Sequence, residues 1–507
     1  MRYEHKTCGS EISRRDLLKS SGLGFGQIVL AYLLNQLDAF AVEGAPQVHP
    51  TDFKDSRPRT GHFKGTAKAM IQLMQNGGPS QMDLFDPKPE LTKRNGQPHP
   101  QGVETFQPNN RNILLKSPYH FEPRGQSGIE MSDVIPHLAG VADDLCMIRS
   151  MHTEHSNHTE ALIMLQTCKI FPGRPAIGSW ITYALGTENQ NLPAYIVLRD
   201  PAGYNTTGKL VWSSGWLSAL YQGVEFNSSG APVHNLYPAL ALPPGAQRDR
   251  LDFLAGMNAS YQQRHPKEIE LEARIQNFEL AARMQLAATG VLDVSKETDT
   301  TRKLYGLDNP TTAAYGTRCL MARRLIEAGV RFVQVFPPVF QPWDNHIDIE
   351  GELQRICAQT DQPSAALIKD LKGRGLLDST MIMWTGEFGR LPITENGNGR
   401  DHNRHGFTTI LAGGGFKGGF AYGETDEFGY KAVVNPVSVP DLQATVLAAL
   451  GIDHKRFLFL HNGAPETPTD VLISGANVVR PLMKSPPSED QLVKFLCNSH
   501  GRQQPSA

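Results

Sequence analysis

The sequence predicts an α/β fold with a mostly parallel sheet. Three observations carry this. Short apolar runs alternate with longer helix-patterned segments. A helix, a glycine break and an apolar strand follow one another twice, in "TRCLMARRLIEAGVRFVQVF" and in "PSAALIKDLKGRGLLDSTMIMW". The apolar runs lead into polar or Gly/Pro-bearing stretches, as they do at the carboxyl edge of an open sheet.

In chain order, "AKAMIQLMQ" reads as a strand that ends on Asn76-Gly77-Gly78-Pro79. Residues 87–128 are a Pro-, Asn- and Gly-rich excursion. "LCMIRS" (145–150) is the next buried strand, and a helix-like run, "EALIMLQT", follows it. "LPAYIVL" (192–198) is another strand, before a loop-rich region over 199–245. Residues 247–289 are helical, with an apolar recurrence at Ile275, Phe278, Ala282 and Leu286. Strands are expected at 331–336, at 380–384 and in "FTTILAGGG". A helix begins at Pro363, and "VPDLQATVLAALGID" closes the domain. No internal repeat or sharp linker divides the chain. One domain is therefore expected over 66–484, with a peripheral tail over 485–507.

The N-terminus reads as an export signal over 1–41. Paired Arg14 and Arg15 in "SRRDLLKS" precede a moderately apolar run and an "AFA" cleavage pattern, which points to the twin-arginine (Tat) route and a periplasmic or extracellular destination. A polar lead-in fills 42–65. No later segment is apolar enough to span a membrane, so no span is expected in the mature chain. The formal charge of -2 among 507 residues excludes a basic nucleic-acid binder. The six cysteines are scattered without a C-x-x-C. Buried free thiols are expected, with Cys146–Cys168 as the alternative pairing.

The chemistry is expected in the polar residues just after each strand. These are Asn76 and Ser80–Asp86, His152–Thr159, Trp343–His346, Glu387, and Asp401, His402 and His405; six of the 17 histidines fall among them. Imidazoles and carboxylates from separate strand ends can converge on one metal. Each cluster also has a structural explanation. The histidines before the helix would cap it together with Asn157 or Thr159. Asp344–His346 and "GRDHNRHG" would be turns. A buried Glu387 needs a partner, for which a metal or Arg390 would serve. Walker, dinucleotide-binding and nucleophile-elbow patterns are absent.

"NGGPSQMDLFDPKPEL", "GRPAIGSW", "FELAARMQ", "CLMARRLIEAGVRFVQVF…WDNH", "WTGEFGR…GRDHNRHGFTTILAGGG" and "VPDLQATVLAALGIDH" occur in that order. Together they resemble the bacterial Tat-exported family catalogued as domain of unknown function 1501, over roughly residues 66–475. That family is placed in the alkaline phosphatase and sulfatase superfamily, which implies a three-layer α/β/α sandwich.

The superfamily's acidic ligand at the end of the first strand would correspond to Asn76, with Asp83 and Asp86 nearby. Its nucleophile position would fall on His158, with Ser156 and Thr159 as neighbours. Its Asp-x-x-x-His pair would be Asp344 and His346, and its Asp-His pair would be Glu387-Phe388. Its final histidine ligand would be His402 or His405. The resemblance thus implies a metal-dependent hydrolase of sulfate or phosphate esters. A divalent metal (Zn, Ca, Mg or Mn) would be held by Asp344, His346, Glu387 and His402, with His405 near. His158, Ser156 or Thr159 would act as nucleophile or acid/base. The partner would be an anionic ester or a sulfated or phosphorylated glycan. The altered ligand positions also admit a non-catalytic exported binding or assembly protein on the same fold.

Overall fold

The computed structural model describes residues 55–106, 112–229, 233, 243, 245–265, 269–338, 340–395 and 397–492. The segment read as an export signal, residues 1–41, and most of the tail lie outside the described residues, as do Cys8 and Cys497.

The apolar runs form the strands that the sequence predicts. The main sheet contains β1 (Ala69–Met74), β2 (Leu145–His152), β3 (Tyr195–Leu198), β4 (Val224–Phe226), β5 (Phe332–Val335) and β6 (Thr380–Thr385). A two-stranded ribbon of β7 (Gly389–Arg390) and β8 (His402–Asn403) follows. The main sheet resumes with β9 (Phe407–Gly413), β10 (Phe420–Tyr422) and β11 (Val437–Ser438). Among the described residues its order is β10-β2-β9-β6-β1-β5-β3-β4, and β11 also pairs with β2. Every pairing is parallel except those of β9, which runs antiparallel to both β2 and β6.

All six residues of β1 are buried. Successive side chains point to opposite faces, so both faces of the central strand are covered. The main helices are α1 (His158–Thr167), α2 (Ile177–Leu185), α3 (Ala246–Arg264), α4 (Ile269–Leu292), α5 (Ala313–Glu327), α6 (Ile349–Gly373) and α7 (Val439–Ala449). Some polar residues of the central strands pair with one another inside. Gln334 donates to Gln72 at 3.0 Å and accepts from the Tyr195 hydroxyl at 2.8 Å. Satisfying such groups offsets the cost of burying them.

One helical reading changes. α6 runs through Pro363 instead of starting there. Proline inside a helix costs about 3 kcal/mol. The buried stripe of Leu353, Ile356, Leu367, Ile368 and Leu371 spans the proline and outweighs that cost. On α4 the buried stripe is Ala273, Leu280 and Met284, whereas Phe278 is 61% exposed. Leu280 and Met284 join the main core, and Leu286 lies outside the residues whose side chains are described.

Cys146, Cys168, Cys319 and Cys357 are buried free thiols. Among the described residues, no helix is long and apolar enough to cross a membrane. Phe459–His461 and Ala464–Glu466 form an antiparallel hairpin. It turns on Asn462-Gly463, both with positive φ, as a two-residue hairpin turn requires.

Candidate metal centre

Because β9 alone is reversed, the ends of β1, β2, β5 and β6 and the start of β9 share one edge of the sheet. The polar residues that follow or precede them meet there. His158 opens α1, just after β2. Asn157 caps that helix, its side chain accepting from the Thr159 N–H at 3.0 Å. His155 accepts from the Asn157 N–H at 3.0 Å. Of the three histidines in this segment, then, one faces the site while the loop itself is organised by ordinary capping.

His158, Asp344, His346 and His402 each offer a ligand atom, and these atoms lie within 4.8 Å of one another. His346 Nε2 is 2.7 Å from Asp344 Oδ1, and His402 Nε2 is 3.1 Å from the same oxygen. His158 Nε2 is 3.2 Å from Asp344 Oδ2. This buried nitrogen has no hydrogen-bond partner.

The opposite ring nitrogens are all tethered. His158 Nδ1 donates to Glu387 Oε1 at 2.7 Å, and His346 Nδ1 donates to Glu395 Oε2 at 2.5 Å. His402 Nδ1 donates to the Ser156 carbonyl at 2.7 Å. An acceptor at Nδ1 fixes the tautomer with its lone pair on Nε2, the usual arrangement behind a metal-binding histidine. The Nε2 atoms of His346 and His402 then face each other at 3.0 Å. Two lone pairs at that distance need a positive charge between them.

The surroundings hold negative charge on Asp344. Burial alone would raise its pKa, but the Arg390 guanidinium and the three histidines outweigh burial and hold the carboxyl well below the usual range. For His346, burial opposes protonation, yet hydrogen bonds to Asp344 and Glu395 prevail and lift it to about 9. His158 is likewise raised, its burial outweighed by Asp344 and Glu387. His402 goes the other way, to about 4, through burial and the nearby charges of Arg390 and His158. The cluster therefore favours positive charge beside Asp344. Three imidazole nitrogens and one carboxylate oxygen fit a divalent cation of borderline softness, such as zinc.

The backbone around the cluster is fixed by buried groups. Arg390 is fully buried and donates to Asp344 Oδ1 at 2.6 Å and to the carbonyls of Gly77, Gly78, Trp343 and Arg400. Gln75 accepts from Trp343 Nε1 at 2.9 Å, which sets the residue before Asp344. At Gly77 φ is +117°, and a Cβ would lie 2.7 Å from the Asp344 backbone nitrogen, so only glycine admits this approach.

The other sequence-predicted residues lie around or outside this centre. Glu387 is buried and accepts from His158 and from the Gly77 N–H at 2.9 and 3.1 Å. Its partner is not Arg390. His405 instead pairs with Glu104 at 2.9 Å. Ser156 contributes its carbonyl to His402, and the Thr159 N–H is taken by the helix cap. Asp83 is consumed by the fully buried Arg400, at 2.7 Å, and Asp86 by Lys88, at 3.0 Å. The sequence reading missed Glu395. It lies in an irregular loop, where neither periodicity nor a motif marks it. Glu395 and Asp401 form a second possible ligand group with His346.

The family described as "Protein of unknown function (DUF1501)" matches residues 67–483. No curated protein matches the sequence. Solved structures similar to this chain include a phosphonate monoester hydrolase from Silicibacter pomeroyi. It is 12% identical, with a TM-score of 0.32, over 70% of this chain and 73% of that one. The PsFucS1 sulfatase from Pseudoalteromonas sp. is 12% identical, with a TM-score of 0.32, over 84% and 72%. A protein in the alkaline phosphatase superfamily from Vibrio parahaemolyticus is 10% identical, with a TM-score of 0.33, over 90% and 80%.

Proposed function

This chain belongs to the DUF1501 family, and from that footing we propose that it is an exported, metal-dependent hydrolase of sulfate or phosphate esters. One observation carries the reading: three imidazole Nε2 atoms converge on Asp344 while every Nδ1 is tied to an acceptor. A divalent cation held by His158, Asp344, His346 and His402 would neutralise an anionic ester and acidify water. Glu387, Glu395 and the Ser156 carbonyl orient the three rings. Arg390 keeps Asp344 ionised. The α1 N-terminus adds free N–H groups that favour an anion.

The reading gives His158 a different role from the nucleophile position that the family resemblance implies. With Nδ1 given to Glu387 and Nε2 turned to Asp344, neither nitrogen is available to attack an ester. Water or the Ser156 or Thr159 hydroxyl is then the attacking group. The twin-arginine segment supports delivery of the folded protein to the periplasm or beyond.

The alternative is a non-catalytic binding protein on the same fold. The Arg390–Asp344 ion pair favours it, because it neutralises the central carboxylate internally. Metal analysis of the purified protein, with turnover of aryl sulfate and aryl phosphate panels, separates the two. A bound divalent ion with ester cleavage supports the hydrolase. A stoichiometric ion without turnover supports the binding protein. No ion and no turnover overturn the metal reading.

A further inference from the structure

Helix α3 has two unlike sides, and none of its 19 residues is buried. Leu251, Ala255, Asn258 and Gln262 are half-buried, and Gln262 donates to Glu272 on α4, so this side faces α4. At about 100° per residue, the opposite side carries Phe253, Leu254, Met257 and Tyr261. Phe253 is 69% exposed and Tyr261 42%, and Leu254 and Met257 are both more than half exposed.

A Phe or Tyr carries about 150–250 Å² of surface, so with Leu254 and Met257 the stripe shows on the order of 400 Å² of apolar area. Soluble monomers rarely expose a contiguous apolar patch of more than a few hundred Å², and patches of that size mark interaction surfaces. Charges of both signs flank the stripe, at Asp249, Arg250, Asp252 and Arg264. A helix that lies on an anionic lipid surface instead carries a surplus of Lys and Arg.

This side of α3 is complementary to itself. Asp249, Phe253, Gly256, Met257, Ser260 and Arg264 lie within an arc of about 100°. When two copies of the helix cross antiparallel about a twofold axis between Gly256 and Met257, each Met257 meets the other Gly256. Each Phe253 meets Ser260, and each Asp249 meets Arg264. Large side chains face small ones and acids face bases, and the twofold axis repeats every pairing. Within the chain Arg264 donates to the Ser260 carbonyl at 3.2 Å, and the ion pair of α3 joins Arg248 to Asp252 instead. A Cβ on Gly256 would meet nothing within 4 Å, so the chain's own packing does not require glycine there, and glycine weakens a helix interior. A second helix crossing at that point uses the space. Two such stripes hide about 800 Å² of apolar surface, and their polar flanks bring the total near the roughly 1,000 Å² that a specific interface needs.

We propose that α3 is the contact face of a homodimer, in which the α3 helices of two copies pack antiparallel about Gly256 and Met257.

Sedimentation velocity of the full protein, from low to high micromolar concentration, should show a monomer–dimer equilibrium. Phe253→Glu and Met257→Glu alter exposed side chains only, so the circular dichroism spectrum should be unchanged while the dimer weakens by about tenfold or more. Asp249→Arg and Arg264→Asp should each weaken it about fivefold at low salt. Combining these two changes should restore the dimer, because acid and base face each other again. A monomer at every concentration overturns the proposal. So does a dimer that Phe253→Glu and Met257→Glu leave intact, and so does a charge-swapped pair that fails to recover the loss of its single variants. A monomer that binds vesicles of phosphatidylcholine and phosphatidylglycerol through Phe253 makes the stripe a lipid-facing surface and overturns it as well. His402→Ala should leave the equilibrium unchanged, so the outcome is independent of the metal reading.

Discussion

Replacing Glu387 by Gln alters the metal centre without removing any of the four convergent atoms. In the native protein the carboxylate accepts from His158 Nδ1 at 2.7 Å and from the Gly77 N–H at 2.9 and 3.1 Å. Gln retains the shape and one acceptor oxygen. It loses the charge and turns an NH₂ toward one of the two donors. The His158 imidazole then loses its anionic acceptor, and its Nε2 loses basicity. Outer-shell changes of this kind cost about 10–100-fold in metal affinity, or about 1.4–2.7 kcal/mol. Competition for Zn²⁺ against a chromophoric chelator at pH 7.5 measures the loss. His402→Ala, which deletes a ligand atom, should lose more. In a double-mutant cycle His158→Ala and Glu387→Gln should be non-additive, since they act through one contact. Affinity within about twofold of the native protein would refute the argument, as that lies below the outer-shell range. A loss equal to that of His402→Ala would make Glu387 a ligand itself, as the family resemblance implies.

Further outcomes follow from the same geometry. His405→Ala should leave metal affinity unchanged in the chelator assay, because His405 pairs with the exposed Glu104. Arg400→Met should destabilise the fold by about 3–5 kcal/mol in urea, since it strands a fully buried Asp83 carboxylate; the added change Asp83→Asn should recover part of that. Burial holds His454 neutral, its pKa lowered to about 4, with Nδ1 2.7 Å from the Thr469 hydroxyl. Between pH 6.5 and 4 the unfolded chain takes up a proton that the folded chain refuses. This contribution is complete above pH 6.5 and falls by about 3 kcal/mol as pH drops to 4. Denaturant midpoints at pH 7 and 4.5 should therefore differ less in His454→Gln than in the native protein.

Much of the sheet was legible because its strands are apolar runs stopped by turn residues. "MIMWTGE" announces both a buried strand and its polar exit. His158, Asp344, His346 and His402 were legible for the same reason, as polar residues at strand ends. Their division of labour was not. Whether His158 attacks or Glu387 ligates depends on which atom faces which, and spacing along the chain carries no such information. Glu395 was hidden by its loop, which is placed by isolated bridges such as those of Ile393 to Leu114 and Glu395 to Gly399, and not by any repeating pattern. The recurrence at Ile275, Phe278, Ala282 and Leu286 made the α4 helix legible, but a helical period alone does not say which face is buried.

The cluster joins distant parts of the chain. His158 and Glu387 are 229 positions apart, and His346 and His402 are 56 apart. No fragment ending before β8 can bring the four convergent atoms together, so the centre can exist only once almost the whole domain has been made and folded. Any ion taken up there needs the early and the late segments in place together. From then on it acts as a clasp between the early and late segments, opposing their separation by mass action for as long as free ion is present.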